Sequence, residues 1–171
     1  MTVGFDDMAE FLAHAHAMEV EAEERYRMLA DQMEVHNNME LAVIFRTLAD
    51  VEGRHAEEIK MRAGNQGLQK LELSESKWPD MEAPETADLA EVHYMMTPYH
   101  ALQIAMHAEE NAYQFFKTIA ETTPNSKLRE LAHEYAVEER DHIRQVEALL
   151  AKNPEPDDSW DDDLDPPVSP E

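Results

Sequence analysis

The sequence predicts an all-α protein, a four-helix bundle made of two repeated hairpins joined by a long crossover. Three observations carry that expectation. Of 171 residues only four are glycine, helix-forming Ala, Glu, Met and Leu are abundant, and β-branched runs are few. Four long segments place apolar residues at steps of three and four, the period of a helix with one buried face. The first pair of these segments also aligns with the second pair, position by position.

The first helix is expected from about Asp7 to Glu34, opened by Asp7 with Glu10 three residues later as a capping pair. Its stripe reads Leu12, Ala15, Glu19, Ala22 and Tyr26. The second starts near Asn37, with Glu40 in the same relation, and ends at Gly64, a residue suited to the left-handed position after a helix. Its stripe is Leu41, Phe45, Leu48, Glu52, His55 and Ile59. A crossover of about residues 65–96 follows, holding Trp78, Pro79 and Pro84, with a further helical stretch expected over Ala87 to Met95. Short connections join antiparallel neighbours, whereas a long one lets the chain cross to the far end of a bundle.

The third helix begins at Thr97-Pro98, a cap residue followed by proline at the first helical position, and ends near Thr122. Its stripe is Leu102, Ala105, Glu109, Ala112 and Phe116. The fourth starts around Thr123-Pro124-Asn125, carries Leu128, Leu131, Tyr135, Glu139, His142, Val146 and Leu149, and stops before Pro154. Residues 1–152 are thus expected to form one domain and residues 153–171 an acidic, disordered tail with eight acidic and no basic residues. Trp160 within that tail, flanked by Asp158, Asp161 and Asp162, is a candidate docking anchor, set against the plainer role of a solubilising appendage.

The repeat is explicit. With Glu19 set on Glu109, Ala22 meets Ala112, Tyr26 meets Phe116, Leu29 meets Ile119 and Ala30 meets Ala120. With Glu52 set on Glu139, Leu41 meets Leu128, Ala49 meets Ala136, His55 meets His142 and Ile59 meets Val146. A pseudo-twofold bundle follows, with any site on its axis.

Six polar residues interrupt the apolar stripes: Glu19, Glu52, His55, Glu109, Glu139 and His142. Burying one ionised carboxylate without a partner costs several kcal/mol or more, and four would exceed a domain stability of roughly 5–15 kcal/mol. Two divalent cations would cancel the four charges and leave two imidazoles to complete the coordination. A Glu from each of two helices with Glu-x-x-His from each of two others is the ligand set of dinuclear carboxylate bundles. The donors suit iron or manganese, and zinc to a lesser degree. In the expected split, each Glu-x-x-His puts its imidazole on one metal and its carboxylate between the two, with Glu19 and Glu109 terminal.

The other histidines show no such pattern. His16 sits one turn before Glu19 and is a candidate supporting group or opening to water. By phase His14, His100, His107 and His133 fall off the ligand faces and are expected at the surface, while His36 and His93 lie at a helix end and in the crossover. Tyr26, Tyr113 and Tyr135 lie near enough to the ligands by phase to be candidate redox neighbours, set against the plainer role of core aromatics, and the eleven methionines are read mostly as core filler.

Composition narrows the partners. A net charge of −24 argues against nucleic acid and anionic membranes. No apolar run is long enough for a bilayer, and the first ten residues lack a signal peptide's basic start and apolar core. Without cysteine there is no disulfide, thiolate site or Cys nucleophile, and a cytoplasmic location is expected.

The pieces Glu19-x-x-Ala22-x-x-x-Tyr26-x-x-Leu29-Ala30, Glu52-x-x-His55-Ala56-Glu57, Glu109-x-x-Ala112-x-x-Phe115-Phe116-x-x-Ile119-Ala120 and Glu139-x-x-His142 together resemble a rubrerythrin-like, erythrin-type member of the ferritin-like superfamily. The resemblance covers roughly residues 8–62 and 98–150. It implies a ferritin-like four-helix bundle and a non-haem di-iron centre. Rubrerythrins reduce hydrogen peroxide, ferritin relatives oxidise and store iron, and other relatives hydroxylate or oxygenate. Two departures stand out. The rubredoxin domain of rubrerythrin proper needs four cysteines, and this chain has none, so an external electron-donor protein is expected. The extra glutamate that rubrerythrin proper carries one turn after the third-helix ligand is Ala112 here, which makes the site more symmetric.

The leading expectation is therefore a di-iron oxidoreductase reducing hydrogen peroxide or dioxygen, as a homodimer or higher homo-oligomer. The alternative is a ferroxidase serving iron storage or detoxification. A third is a non-catalytic bundle holding redox-silent metal such as zinc.

Overall fold

A computed structural model describes residues 7–71 and 97–156, and the side chains within them except those of residues 65–71. It contains four helices: α1 (Met8–Val35), α2 (Met39–Leu71), α3 (Pro98–Thr122) and α4 (Ser126–Lys152). Among the described residues there is no strand, and no helix is long and apolar enough to cross a membrane.

Local chemistry sets the boundaries. The Asp7 carboxylate accepts from the Ala9 amide at 2.9 Å and opens α1. Asn37 ends that helix from the left-handed region (φ 59°), with its amide on the Glu34 carbonyl at 2.9 Å and the Asn38 amide on the Met33 carbonyl at 2.8 Å. These two bonds satisfy carbonyls the helix end would otherwise orphan. Asn38 then caps α2, its side chain accepting from the Leu41 amide at 3.1 Å. The expected start at Asn37 is thus one residue early: adjacent asparagines divide the two jobs. Thr97 caps α3, with Pro98 in the first turn, and the Asn125 side chain accepts from the Lys127 and Leu128 amides at the head of α4.

Gly64 breaks α2 as expected, with φ 66° and ψ −173°. The chain does not stay extended beyond it, because helical backbone resumes and runs to Leu71. Helical backbone therefore occupies residues 65–71 of the expected crossover. Its remainder, 72–96, with Trp78, the stretch 87–95 and His93, lies outside the described residues, as does Trp160.

Two hydrophobic clusters fill the bundle. One gathers Tyr26, Leu29 and Met33 of α1, Leu41, Phe45 and Leu48 of α2, Leu102 and Ala105 of α3, and Val146 of α4. The other gathers Phe11 and Leu12, Ile59, Phe116 and Ile119, and Leu128, Leu131 and Tyr135. Along the chain, α1 and α4 pass from the second cluster to the first, whereas α2 and α3 pass from the first to the second. So α1 lies antiparallel to α2 and α3 to α4, each pair in close contact, and α1 also touches α3. Because α2 and α3 run the same way, the end of one and the start of the next sit at opposite ends of the bundle. Every helix carries one or two of the six polar residues between the two clusters, which makes a single polar layer across the middle.

Candidate metal centre

Helical phase brings the layer together. Glu19, Glu52, Glu109 and Glu139 are each at most 4% exposed, and His142 is 4% exposed. His55 is the least covered, its side chain keeping 18% exposure. Above the layer Tyr26 packs on Phe45 with ring centroids 5.9 Å apart. Below it Phe11 stacks on Tyr135 at 6.0 Å and Phe116 meets Tyr135 edge-on at 5.4 Å. Aromatic surface on both sides lowers the local dielectric and strengthens every charge interaction between them.

His142 stands at the centre. Its Nδ1 lies 3.0 Å from Glu52 Oε1, 3.5 Å from Glu109 Oε2 and 3.6 Å from Glu139 Oε2, carboxylates from three helices. His55 Nδ1 approaches Glu52 Oε2 at 3.5 Å. The two imidazoles face each other, 5.4 Å apart and within 7° of parallel. Two ligand groups result, Glu52 with His55 and His142, and Glu109 with Glu139 and His142, each offering atoms within 4.8 Å of one another. Glu19 joins neither group at that distance. It lies beside them, since Glu139 and Glu52 are the main charges acting on it.

The electrostatics are those of crowded carboxylates. Burial, then the charges of Glu139 and Glu52, push the Glu19 carboxyl well above its usual range. Burial likewise pushes Glu139 up, with Glu109 adding to it. Burial would raise Glu52 too, but His142 and His55 outweigh it and hold this carboxyl at about 2. Burial works against a charged His142, and Glu109, Glu139 and Glu52 overcome it, raising the imidazole far above its ordinary value. Glu52 raises His55 against burial.

The donor set fits a metal. Glu52 Oε2, His55 Nδ1 and His142 Nδ1 are buried without a hydrogen-bond partner, three of the five such side-chain atoms among the described residues. Buried polar atoms are nearly always satisfied, so three orphans converging in one layer ask for a ligand. Oxygen and imidazole nitrogen donors in this ratio suit iron, manganese or zinc.

Around the layer the structure departs from sequence expectation in three places. Tyr26, read as a packing aromatic, also donates its hydroxyl proton to Glu109 Oε1 in a fully buried hydrogen bond. The signal was its position two turns after Glu19 on the same face, since a buried tyrosine hydroxyl needs an acceptor. Its repeat mate Phe116 has no hydroxyl to offer. Glu138, next to Glu139, falls outside the apolar stripe and gives no sequence signal, yet it is raised by burial and its charge acts on His55 at the open edge of the layer. His14, expected at the surface, is 4% exposed. Its phase does keep it off the ligand face, but α1 buries a second face that also holds Arg25.

The remaining histidines stay outside the centre. His16 is partly exposed and lowered by burial and by Lys60, with Glu57 opposing, so its charged neighbours are not the site carboxylates. His107 and His133 are exposed, and His100 is partly buried against Thr97 and Tyr99. Tyr113 lies under Lys117, and Tyr135 keeps a buried hydroxyl without a partner.

Comparison with known proteins agrees with this fold. A family model described as Rubrerythrin matches residues 10–150. A solved structure of an uncharacterized conserved protein from Magnetospirillum magnetotacticum MS-1 is similar at 34% identity and a TM-score of 0.70, covering 88% of this chain and 98% of that one. No curated protein matches.

Proposed function

The chain belongs to the rubrerythrin family, and from the site it builds we propose a di-iron carboxylate oxidoreductase that reduces hydrogen peroxide or dioxygen with electrons from an external donor protein. Glu19, Glu52, His55, Glu109, Glu139 and His142 are the proposed ligands of two iron ions. The observation that carries this reading is the convergence of partnerless Glu52 Oε2, His55 Nδ1 and His142 Nδ1 with further buried carboxylates. When bound, two adjacent irons supply two electrons in one encounter, as cleavage of an O–O bond requires. The working assembly in this reading is a homodimer or higher homo-oligomer.

The chain's own residues shape the chemistry. The two hydrophobic clusters close the layer from both sides and limit water and radical escape. Tyr26 fixes one face of Glu109 through its hydroxyl, which leaves Glu109 Oε2 turned toward His142. His55, the most exposed member, marks the edge where a small oxidant enters. Glu138 lies at that edge, its carboxyl raised by burial and its charge acting on His55.

One observation favours a second reading, an iron-handling ferroxidase. Ala112, partly buried one turn after Glu109, offers no further ligand, so the site keeps four carboxylates, two from each hairpin. Stopped-flow absorbance of the anaerobic Fe(II)-loaded protein separates the readings. Faster growth of the near-ultraviolet band with hydrogen peroxide is the expected result. Faster growth with dioxygen would shift the assignment to a ferroxidase. No band with either oxidant would overturn the di-iron reading and leave a scaffold with redox-silent metal.

A further inference from the structure

The two hairpins each carry an outer groove, and the repeat makes these grooves equivalent. In the first, Arg27 is held by Glu23 at 2.8 Å and faces Asp50 at 3.6 Å, with Gly53 alongside. The equivalent residues in the second are Tyr113, Lys117, Val137 and Arg140. Both carboxylates are gone, one replaced by an aromatic ring and one by valine, and the glycine has become a second cation. Arg129 adds a third, its guanidinium donating to the Thr123 carbonyl at 3.0 Å.

The second groove is therefore basic where the first carries Glu23, Asp50 and Glu57 against Arg27 and Arg54. In a chain of net charge −24, Lys117, Arg129 and Arg140 have no carboxylate within ion-pair distance among the described residues. Glu121, which also lines the groove, reaches none of them. Arg27, the counterpart of Lys117 in the first groove, is by contrast paired with Glu23 and Asp50. Lys117 lies 6.0 Å from the centroid of the Tyr113 ring, and Val137 is 48% exposed over buried Ala136. The groove is about 380 Å³, with an apolar floor and a basic rim. It suits an acidic peptide carrying one large aromatic side chain.

One segment of the chain has that composition. Residues 153–171 hold eight acids, no bases and Trp160 between Asp158 and Asp161. We propose that this segment folds back on its own chain, seating Trp160 on Tyr113, Ala136 and Val137 and its aspartates against Lys117, Arg129 and Arg140. The reach is sufficient. At about 1.5 Å per residue, Val137 lies about 22 Å back along α4 from Lys152. The chain from Asn153 to Trp160 extends to about 27 Å. Asp161 to Asp165 then run on toward Arg129, about 12 Å further along the helix. A short tether gives an effective concentration on the order of 1 mM, so an intrinsic affinity of about 0.1 mM keeps the segment roughly 90% docked.

Full-length protein with Trp78→Phe makes Trp160 the sole indole and provides the readout. The expected result is a blue-shifted Trp160 emission that moves to the water-exposed position in about 1 M salt, where screening is nearly complete. The same move is expected in the Lys117→Glu/Arg140→Glu variant, whose circular dichroism reports that the bundle still folds. Carbodiimide coupling of unmodified full-length chain should link Lys117 to an aspartate between Asp157 and Asp165. Trp160→Ala, which leaves the groove intact, should lower that yield about tenfold. A water-exposed emission indifferent to salt and to the charge swap would overturn the proposal. So would links found only between isotopically distinct chains, which would make a second copy the occupant. Absence of any link together with saturable binding of an unrelated acidic peptide would make the groove a partner site instead, and overturn it as well.

Discussion

Tyr26 and Phe116 occupy equivalent places in the two hairpins and differ by one hydroxyl, and that hydroxyl decides which ligand is held. Glu109 accepts a hydrogen bond from the Tyr26 hydroxyl, while Phe116 offers Glu19 no such donor. Tyr26→Phe leaves a buried carboxylate oxygen without its donor, a loss of about 1–3 kcal/mol. Denaturant unfolding of the chelated protein should show that loss, and equilibrium titration should show weaker binding of the metal held by Glu109. Unchanged stability would mean that water replaces the hydroxyl. His142 differs from His55 in a similar way: it belongs to both ligand groups, whereas His55 belongs to one. His142→Ala is therefore expected to lose metal more completely than His55→Ala. Elemental analysis of the two variants tests this, and equal loss would support two independent half-sites.

At the scale of elements, the turns hold the hairpins in register by single residues. Asn37 sits in the left-handed region, which a Cβ disfavours by roughly 1–2 kcal/mol unless a short polar side chain or glycine occupies it. Asn37→Gly should therefore raise stability slightly and Asn37→Ala lower it by about 1 kcal/mol, read as opposite shifts in the urea midpoint. Asn125 satisfies two amides at the head of α4, and Asn125→Ala should cost about 1 kcal/mol. A smaller change at both turns would mean that packing between the helices, not the caps, sets the register. Cap chemistry is local, which is why Asp7 and Thr97-Pro98 were legible from sequence, and the head of α4 to within Thr123-Pro124-Asn125. The Asn37–Asn38 pair was not resolved to the residue, because either side chain suits either role until the backbone chooses.

For the whole molecule, the polar layer couples stability to pH and metal. The imidazoles of His142 and His55 are raised in the folded chain, so without metal their contribution is complete below about pH 6.5 and is lost as pH rises. Glu19 and Glu139 are also raised, and their contribution falls as pH climbs above about 4.5. Glu52 acts oppositely: held at about 2, it stabilises above pH 4.5 and loses that effect as pH falls toward 2. Chelated protein should consequently melt lower at pH 9 than at pH 6. Metal requires deprotonated ligands, so saturating Mn(II) should reduce or reverse that slope. Thermal melts across pH, with chelator and with Mn(II), provide the comparison. Parallel slopes would show that metal does not engage these groups.

Much of this protein was present in its sequence because the relevant signals are periodic and local. Steps of three and four residues placed Glu19, Glu52, Glu109 and Glu139 on buried stripes, and each is buried in the structure. The fold class, the four helices and the family followed from the same repeated pattern. What the stripes could not contain is how four helices are rotated and staggered against one another. That arrangement made His142 the neighbour of three carboxylates, set Glu19 slightly apart, and brought the Tyr26 hydroxyl to a residue eighty-three positions away. It also buried His14 on a second face of α1 and left a basic groove on the second hairpin where the first has balanced charges. A helical wheel defines directions within one helix only. Distances between side chains from different helices depend on packing across the whole core, and only the tertiary structure decides them.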